Sequence, residues 1–124
     1  MSQDSLTALL GIHDEGLLDV YFEALSSYGY SVTKAPTPEE MTRLAEQNQH
    51  YAYIMDLNFG KPGSTDITPA VNVYDIVKSR AAGKSKFVGI SSNLEAVDAA
   101  KQRGIPAFYK TDFDIVMFAK EPHI

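Results

Sequence analysis

The chain has 124 residues, of which 44% are hydrophobic, and this suits one compact domain with its own core. Its formal net charge of −5 argues against a nucleic-acid surface, because binding to a phosphate backbone draws on a basic face. The absence of cysteine excludes disulfides and thiolate metal sites and is compatible with a reducing cytoplasm. The first residues have neither a basic segment nor an apolar run long enough for a signal peptide or a membrane span.

Short apolar or β-branched runs and helical periodicity alternate along the whole sequence. The predicted strands are residues 6–12, 30–35, 51–56, 86–90 and 106–109. The predicted helices run from about 17 to 28, from 37 to about 49, from 68 onwards, from 94 to 103, and after a capping segment at 111–114. Strict alternation with short connections predicts a parallel sheet with helices on both faces. We therefore expect one domain over residues 1–124 with no output domain attached.

Two helix ends and one loop carry clear local signals. Gly29 stands where a helix-terminating glycine belongs. Thr37 and Pro38 open the second helix, and Glu40 completes the sequence pattern of a capping box. Residues 57–68 contain two glycines and a proline and predict a long loop, which makes this segment a functional candidate.

Polar residues stand where the buried strands end. His13 and Asp14 follow the first strand, Asp56 ends the third, Ser91 the fourth and Lys110 the fifth. The carboxyl ends of parallel strands meet at one edge of a sheet, so we expect these side chains to converge there. Carboxylates with a backbone carbonyl suit Mg²⁺, and a carboxylate such as Asp56 can act as a nucleophile toward phosphorus.

On these residues the chain resembles the response-regulator receiver domains over nearly its whole length. The run before Asp56 is similar to the strand of the family's phospho-acceptor, Ser91-Ser92 to its Thr/Ser-Ala pair, and Lys110 to its lysine. The resemblance implies a flavodoxin-like (CheY-like) α/β three-layer sandwich with a five-stranded parallel sheet in the order 2-1-3-4-5. It also implies that Asp56 accepts a phosphoryl group, with Mg²⁺ held by Asp14, Asp56 and the main-chain carbonyl of Asn58. Ser91 and Lys110 would then bind the phosphoryl group.

The sequence also departs from the family pattern. The family has two adjacent acids after its first strand. The matching positions here are His13-Asp14. If residues are instead counted back from Gly29 without a gap in the alignment, the acidic pair falls on Ile12-His13. The loop after Asp56 is longer than the family's, and the segment between Ser91 and Lys110 is shorter. Thr111 replaces the usual proline, and the position of the family's switch aromatic is Ala107, with Phe108 beside it.

Two classes of function follow from these patterns. The first is a two-component receiver, phosphorylated on Asp56 by a sensor histidine kinase or a phosphotransfer protein and thereby changing its affinity for a protein partner. The second is a pseudo-receiver, a protein-binding module that works without phosphorylation. Simpler roles stay open at two positions, because Ser91 could cap the fourth helix and Asp14 could favour the first helix dipole.

Neither class is an enzyme beyond autocatalytic phosphoryl transfer to Asp56 and its hydrolysis. The sequence offers no cofactor signature for small-molecule chemistry and, apart from His13, no general base. We expect a cytoplasmic protein that binds neither nucleic acid nor membrane and that is a monomer or a weak homodimer.

Overall fold

A computed structural model describes residues 6–81 and 85–120 of the chain. Within them, strands and helices alternate as the periodicity predicts. The strands are β1 (Thr7–Gly11), β2 (Ser31–Lys34), β3 (Ala52–Asp56), β4 (Lys86–Ser91) and β5 (Ala107–Tyr109). The helices are α1 (Glu15–Ser27), α2 (Pro38–Gln47), α3 (Thr68–Ala81), α4 (Leu94–Gln102) and α5 (Ile115–Lys120), with a 3₁₀ turn at Lys110–Asp112. The prediction for 111–114 did not anticipate this 3₁₀ turn, which separates β5 from α5.

All five strands pair in parallel, in the order β2-β1-β3-β4-β5, which confirms the predicted sheet. Side chains alternate between the two faces along each strand, so the sheet has a core on either side. Leu9 and Tyr53 pack on the side of α2, α3 and α4. Leu10 and Ile54 pack on the side of α1 and α5. Burial on both faces explains why these strands are apolar almost throughout.

The helix boundaries follow the predicted signals, with one difference. The Thr37 hydroxyl accepts a hydrogen bond from the Glu40 main-chain N–H at 3.1 Å, and Pro38 is the first residue of α2. Gly29 follows the end of α1 with a φ of 93°, a conformation that costs glycine little. The Glu40 carboxylate pairs with Arg43 one turn further along α2, so the return bond of a capping box is replaced by an ion pair.

The long segment between β3 and α3 covers residues 57–67 and is held by its own contacts. The Asn58 side-chain amide donates to the Ser64 carbonyl at 2.8 Å, and Lys61 pairs with Asp66 at 2.7 Å. Phe59 is buried against Gly11, where a Cβ atom would lie only 3.0 Å from its ring. The predicted loop is therefore confirmed, and Thr68 begins α3, as the predicted start of the third helix has it.

Candidate functional site

The five predicted site residues all lie at the carboxyl edge of the sheet. Asp56 ends β3 and Ser91 ends β4, Asp14 precedes α1, Lys110 follows β5, and Asn58 lies in the loop after β3. Asp56 and Ser91 each have an exposed fraction of 1%, whereas Asp14 is exposed. The parallel order of the strands is what brings residues so distant in sequence to one edge.

Asp56 makes its closest contacts with His13. Its Oδ2 atom accepts a hydrogen bond from the His13 main-chain N–H at 2.9 Å and lies 2.7 Å from the His13 Nδ1 atom. The main-chain N–H and the imidazole of one residue thus both contact one carboxylate oxygen. The sequence pattern predicts His13 at this edge but does not predict its contact with Asp56. Both alignments with the family pattern contained a signal for this contact, because each of them puts His13 at a position of the acidic pair.

The other oxygen of Asp56 faces Lys110. Lys110 Nζ lies 3.9 Å from Oδ1, too far for a hydrogen bond, and Oδ1 is buried without a hydrogen-bond partner among the described residues. Burial raises the pKa of the Asp56 carboxyl, and the hydrogen bond from the His13 main chain together with the positive charges of His13 and Lys110 opposes that rise. One oxygen of the buried carboxylate is therefore bound, and the other is available beside a lysine.

Asp14 has a structural role at the start of α1. Its Oδ1 atom accepts a hydrogen bond from the Leu17 main-chain N–H at 3.1 Å, and this bond is the main reason why the pKa of Asp14 is lowered. Ile12, two positions earlier, is buried in the core beside α1 and α5. Ile12 is thus part of the core, and Asp14 is the N-cap of α1.

Ser91 and Asn58 are buried and already hydrogen-bonded. The Ser91 hydroxyl accepts from the Asn93 main-chain N–H at 2.9 Å. Asn93, and not Ser91, is the N-cap of α4, since its side-chain oxygen accepts from the Glu95 N–H. The Asn58 main-chain carbonyl, the predicted metal ligand, accepts from the Lys61 N–H at 2.8 Å. The alternative of Ser91 as the helix cap is therefore wrong.

These contacts decide how well the residues suit the divalent cation that the resemblance implies. Asp56 Oδ2 is bound by His13, Asp14 caps a helix, and the Asn58 carbonyl accepts a main-chain hydrogen bond. Within residues 6–81 and 85–120, no group of three His, Cys, Asp or Glu side chains could hold a metal ion. His13 also stands where the family pattern has an acid, so this edge has one carboxylate fewer. The residues present do not fit a Mg²⁺ site of the predicted kind.

The position of the family's switch aromatic also differs. Ala107 is buried in β5, while Phe108 is exposed and its ring centroid lies 5.7 Å from that of Phe113. An aromatic side chain is thus present one residue later than the family pattern has it, packed against the segment that leads into α5.

No helix in the described part of the chain has the length and apolar character needed to cross a membrane.

No protein-family model matches the chain, and no curated protein matches it either. Solved receiver structures do match it. A response regulator protein from Burkholderia pseudomallei, solved with a phosphorylated aspartic acid, calcium and citrate, has a TM-score of 0.72 at 15% identity, covering 95% of this chain and 67% of its own. A receiver domain of a Pseudomonas aeruginosa sensor histidine kinase, with magnesium in its active-site cleft, has a TM-score of 0.67 at 18% identity, covering 93% and 92%.

A CheY-like receiver domain from Methanospirillum hungatei has a TM-score of 0.69 at 18% identity, covering 90% of this chain and 86% of its own. The agreement extends over nearly the whole chain in each case, although few residues are identical. The strand order and the two helical layers are those that the resemblance implied. The chain therefore has the CheY-like, flavodoxin-type fold of response-regulator receiver domains.

Proposed function

We propose that the chain is a receiver of two-component signalling in which Asp56 accepts a phosphoryl group from a sensor histidine kinase or a phosphotransfer protein. The observation that carries this proposal is the second oxygen of Asp56, which is buried, has no hydrogen-bond partner within the described residues, and faces Lys110 at 3.9 Å. A carboxylate in this position is a suitable nucleophile toward phosphorus. The receiver fold supports the same assignment.

The remaining residues have roles that follow from charge. Lys110 would neutralise a phosphoryl oxygen on Asp56, and the buried Ser91 hydroxyl would donate a hydrogen bond to one. These new bonds would favour one of two arrangements at the fourth and fifth strand-helix units and change affinity for a protein partner. The net charge of −5 favours a protein partner over a nucleic acid, and we propose a cytoplasmic site of action.

One observation favours a second candidate, the pseudo-receiver. His13 stands where the family has an acid and binds Asp56 directly. In that case the His13–Asp56 pair would stabilise the carboxyl edge permanently, and the chain would bind its partner without phosphorylation. The two candidates differ in whether Asp56 can be phosphorylated at all.

Intact-protein mass spectrometry after incubation with phosphoramidate and Mg²⁺ separates the two candidates. We expect the wild-type chain to gain one phosphoryl group that hydroxylamine removes, because hydroxylamine cleaves acyl phosphates. Asp56→Asn should gain none. The matched control is Asp75→Asn, an exposed carboxylate on α3, which should behave as wild type. Equal phosphorylation of Asp56→Asn and wild type would remove Asp56 from the proposal, and no phosphorylation of either would favour the pseudo-receiver.

A further inference from the structure

The charge balance around Asp56 does not depend on a metal ion. A buried carboxylate is costly unless donors or positive charges compensate it. Here Oδ2 accepts a hydrogen bond from the His13 main-chain N–H and lies 2.7 Å from the His13 Nδ1 atom, and Oδ1 has the ammonium of Lys110 nearby. All of these groups belong to the chain itself. The pocket is therefore already supplied with the kind of compensation that a divalent cation would give to a carboxylate.

The position of His13 is fixed by the segment between β1 and α1. Ile12 on one side is buried in the core, and Asp14 on the other side caps α1. The main-chain N–H of His13 itself binds Asp56, so the residue cannot move away without breaking a main-chain contact. The imidazole is about one-third exposed, with Nδ1 directed at the buried carboxylate. Such a side chain is held in place for the contact with Asp56 Oδ2.

We propose that His13 and Lys110 together replace the divalent cation of this pocket, so that Asp56 accepts a phosphoryl group without a metal ion. This inference rests on the proposed function, because it requires Asp56 to be the acceptor. His13 would orient the carboxylate and stabilise its bound oxygen. Lys110 would stabilise the negative charge that arrives on the other oxygen. His13 is thus a positioning residue, and Asp56 is the group that reacts.

The transfer step uses only these residues and a phosphoryl donor with a P–N bond, such as a phosphohistidine of the partner or phosphoramidate. Ionised Asp56 attacks phosphorus through Oδ1, and the new O–P bond forms as the P–N bond breaks. The electron pair of the P–N bond stays on the leaving nitrogen, which takes a proton from solvent. Lys110 then pairs with a phosphoryl oxygen, while His13 keeps its main-chain hydrogen bond and its imidazole contact to Oδ2.

The test is phosphorylation by phosphoramidate in excess chelator, compared with the same reaction in Mg²⁺. We expect the wild-type chain to form the hydroxylamine-sensitive acyl phosphate at similar rates in both. Phosphorylation in Mg²⁺ alone would overturn the metal-free inference and leave the proposed function intact. Phosphorylation in neither condition would contradict the proposed function itself, so the two failures can be told apart.

Variants of His13 give a second measurement. His13→Ala keeps the main-chain donor but loses Nδ1, and we expect its phosphorylation in chelator to slow by about tenfold, the effect of one lost charge-assisted hydrogen bond. His13→Asn places an amide donor near the position of Nδ1 and should recover much of the rate. Amide NMR spectra confirm that each variant is folded. A rate for His13→Ala equal to that of wild type would contradict the role of His13, and Asp75→Asn is again the matched control.

Discussion

The side chain of Lys110 lies near Asp56 without a hydrogen bond to it, an arrangement that suits a group waiting for a new partner. We predict that Lys110→Ala reduces phosphorylation of Asp56 only in part but abolishes the conformational response. The reason is that Lys110 would be the residue that connects a phosphoryl oxygen to the end of β5.

The measurement for Lys110→Ala is the change in amide NMR shifts over Ala107–Tyr109 when the chain is phosphorylated. Lys101→Ala is the control, since Lys101 is an exposed lysine near the end of α4. It should respond as wild type does. A full response of the Lys110→Ala variant would exclude Lys110 from the switching mechanism.

His50 gives the chain a predicted sensitivity to acid. Both ring nitrogens are buried without a hydrogen-bond partner in the described part of the chain, and burial lowers the pKa of the ring from its ordinary value of 6.5. The unfolded chain therefore binds the proton more tightly than the folded chain. The free energy of unfolding should fall as the pH drops through 6.5 toward the lower folded-state pKa.

Urea unfolding of wild type and His50→Phe at about pH 8 and about pH 5 measures this effect. Phenylalanine keeps the ring contact that His50 makes with Tyr53, at 5.6 Å between centroids, but cannot be protonated. The loss of stability between the two pH values should be smaller in His50→Phe. An equal loss in both proteins would mean that His50 does not contribute to acid sensitivity.

At the scale of elements, the short helix α5 depends on hydrogen bonds that other residues make to its two ends. A six-residue helix such as α5 is not stable by itself. Asp114 accepts hydrogen bonds from the main chain at its start. At its other end the buried Lys86 donates to the Phe118 carbonyl, and the Tyr30 hydroxyl donates to the Ala119 carbonyl at 3.2 Å. Lys86 also lies 4.3 Å from the centroid of the Phe118 ring.

We predict that Lys86→Met weakens the attachment of α5 and lowers the free energy of unfolding by about 2 kcal/mol, because a charged hydrogen bond inside the protein is lost. Hydrogen exchange of the amides in residues 115–120 should become faster, while β1 and β3 keep their protection. Lys101→Met, which changes an exposed lysine, is the matched control. Unchanged exchange in α5 would contradict the anchoring role of Lys86.

Periodicity and capping signals predicted the elements well, because each depends on neighbouring residues. Thr37, Pro38 and Gly29 act where the sequence places them. The contacts that define the site were harder to predict. His13 and Asp56 are 43 positions apart, so their hydrogen bond depends on the folded sheet and on the choice between two alignments. The role of Asn93 as the cap of α4 also depends on where β4 ends, which periodicity leaves uncertain by a residue or two.

At the scale of the whole molecule, the two edges of the parallel sheet carry residues with different roles. Its carboxyl edge collects the polar residues around Asp56, and at its opposite edge Lys86 binds the end of α5 and the His50 ring packs against Tyr53. Alternation of strands and helices predicted the layers, whereas the strand order came from the resemblance and is confirmed by the structure. The predictions of a monomer or weak homodimer and of a single domain stay predictions.

The central claim is that Asp56 forms a phosphoryl-accepting site with His13 and Lys110. Beryllofluoride, which imitates a phosphoryl group on an aspartate, tests it most directly in an amide NMR titration. We predict saturable shifts at His13, Asp56, Ser91 and Lys110, both with Mg²⁺ and with chelator, and none in Asp56→Asn. The absence of shifts in the wild-type chain at saturating beryllofluoride, with or without Mg²⁺, would contradict the claim and favour the pseudo-receiver.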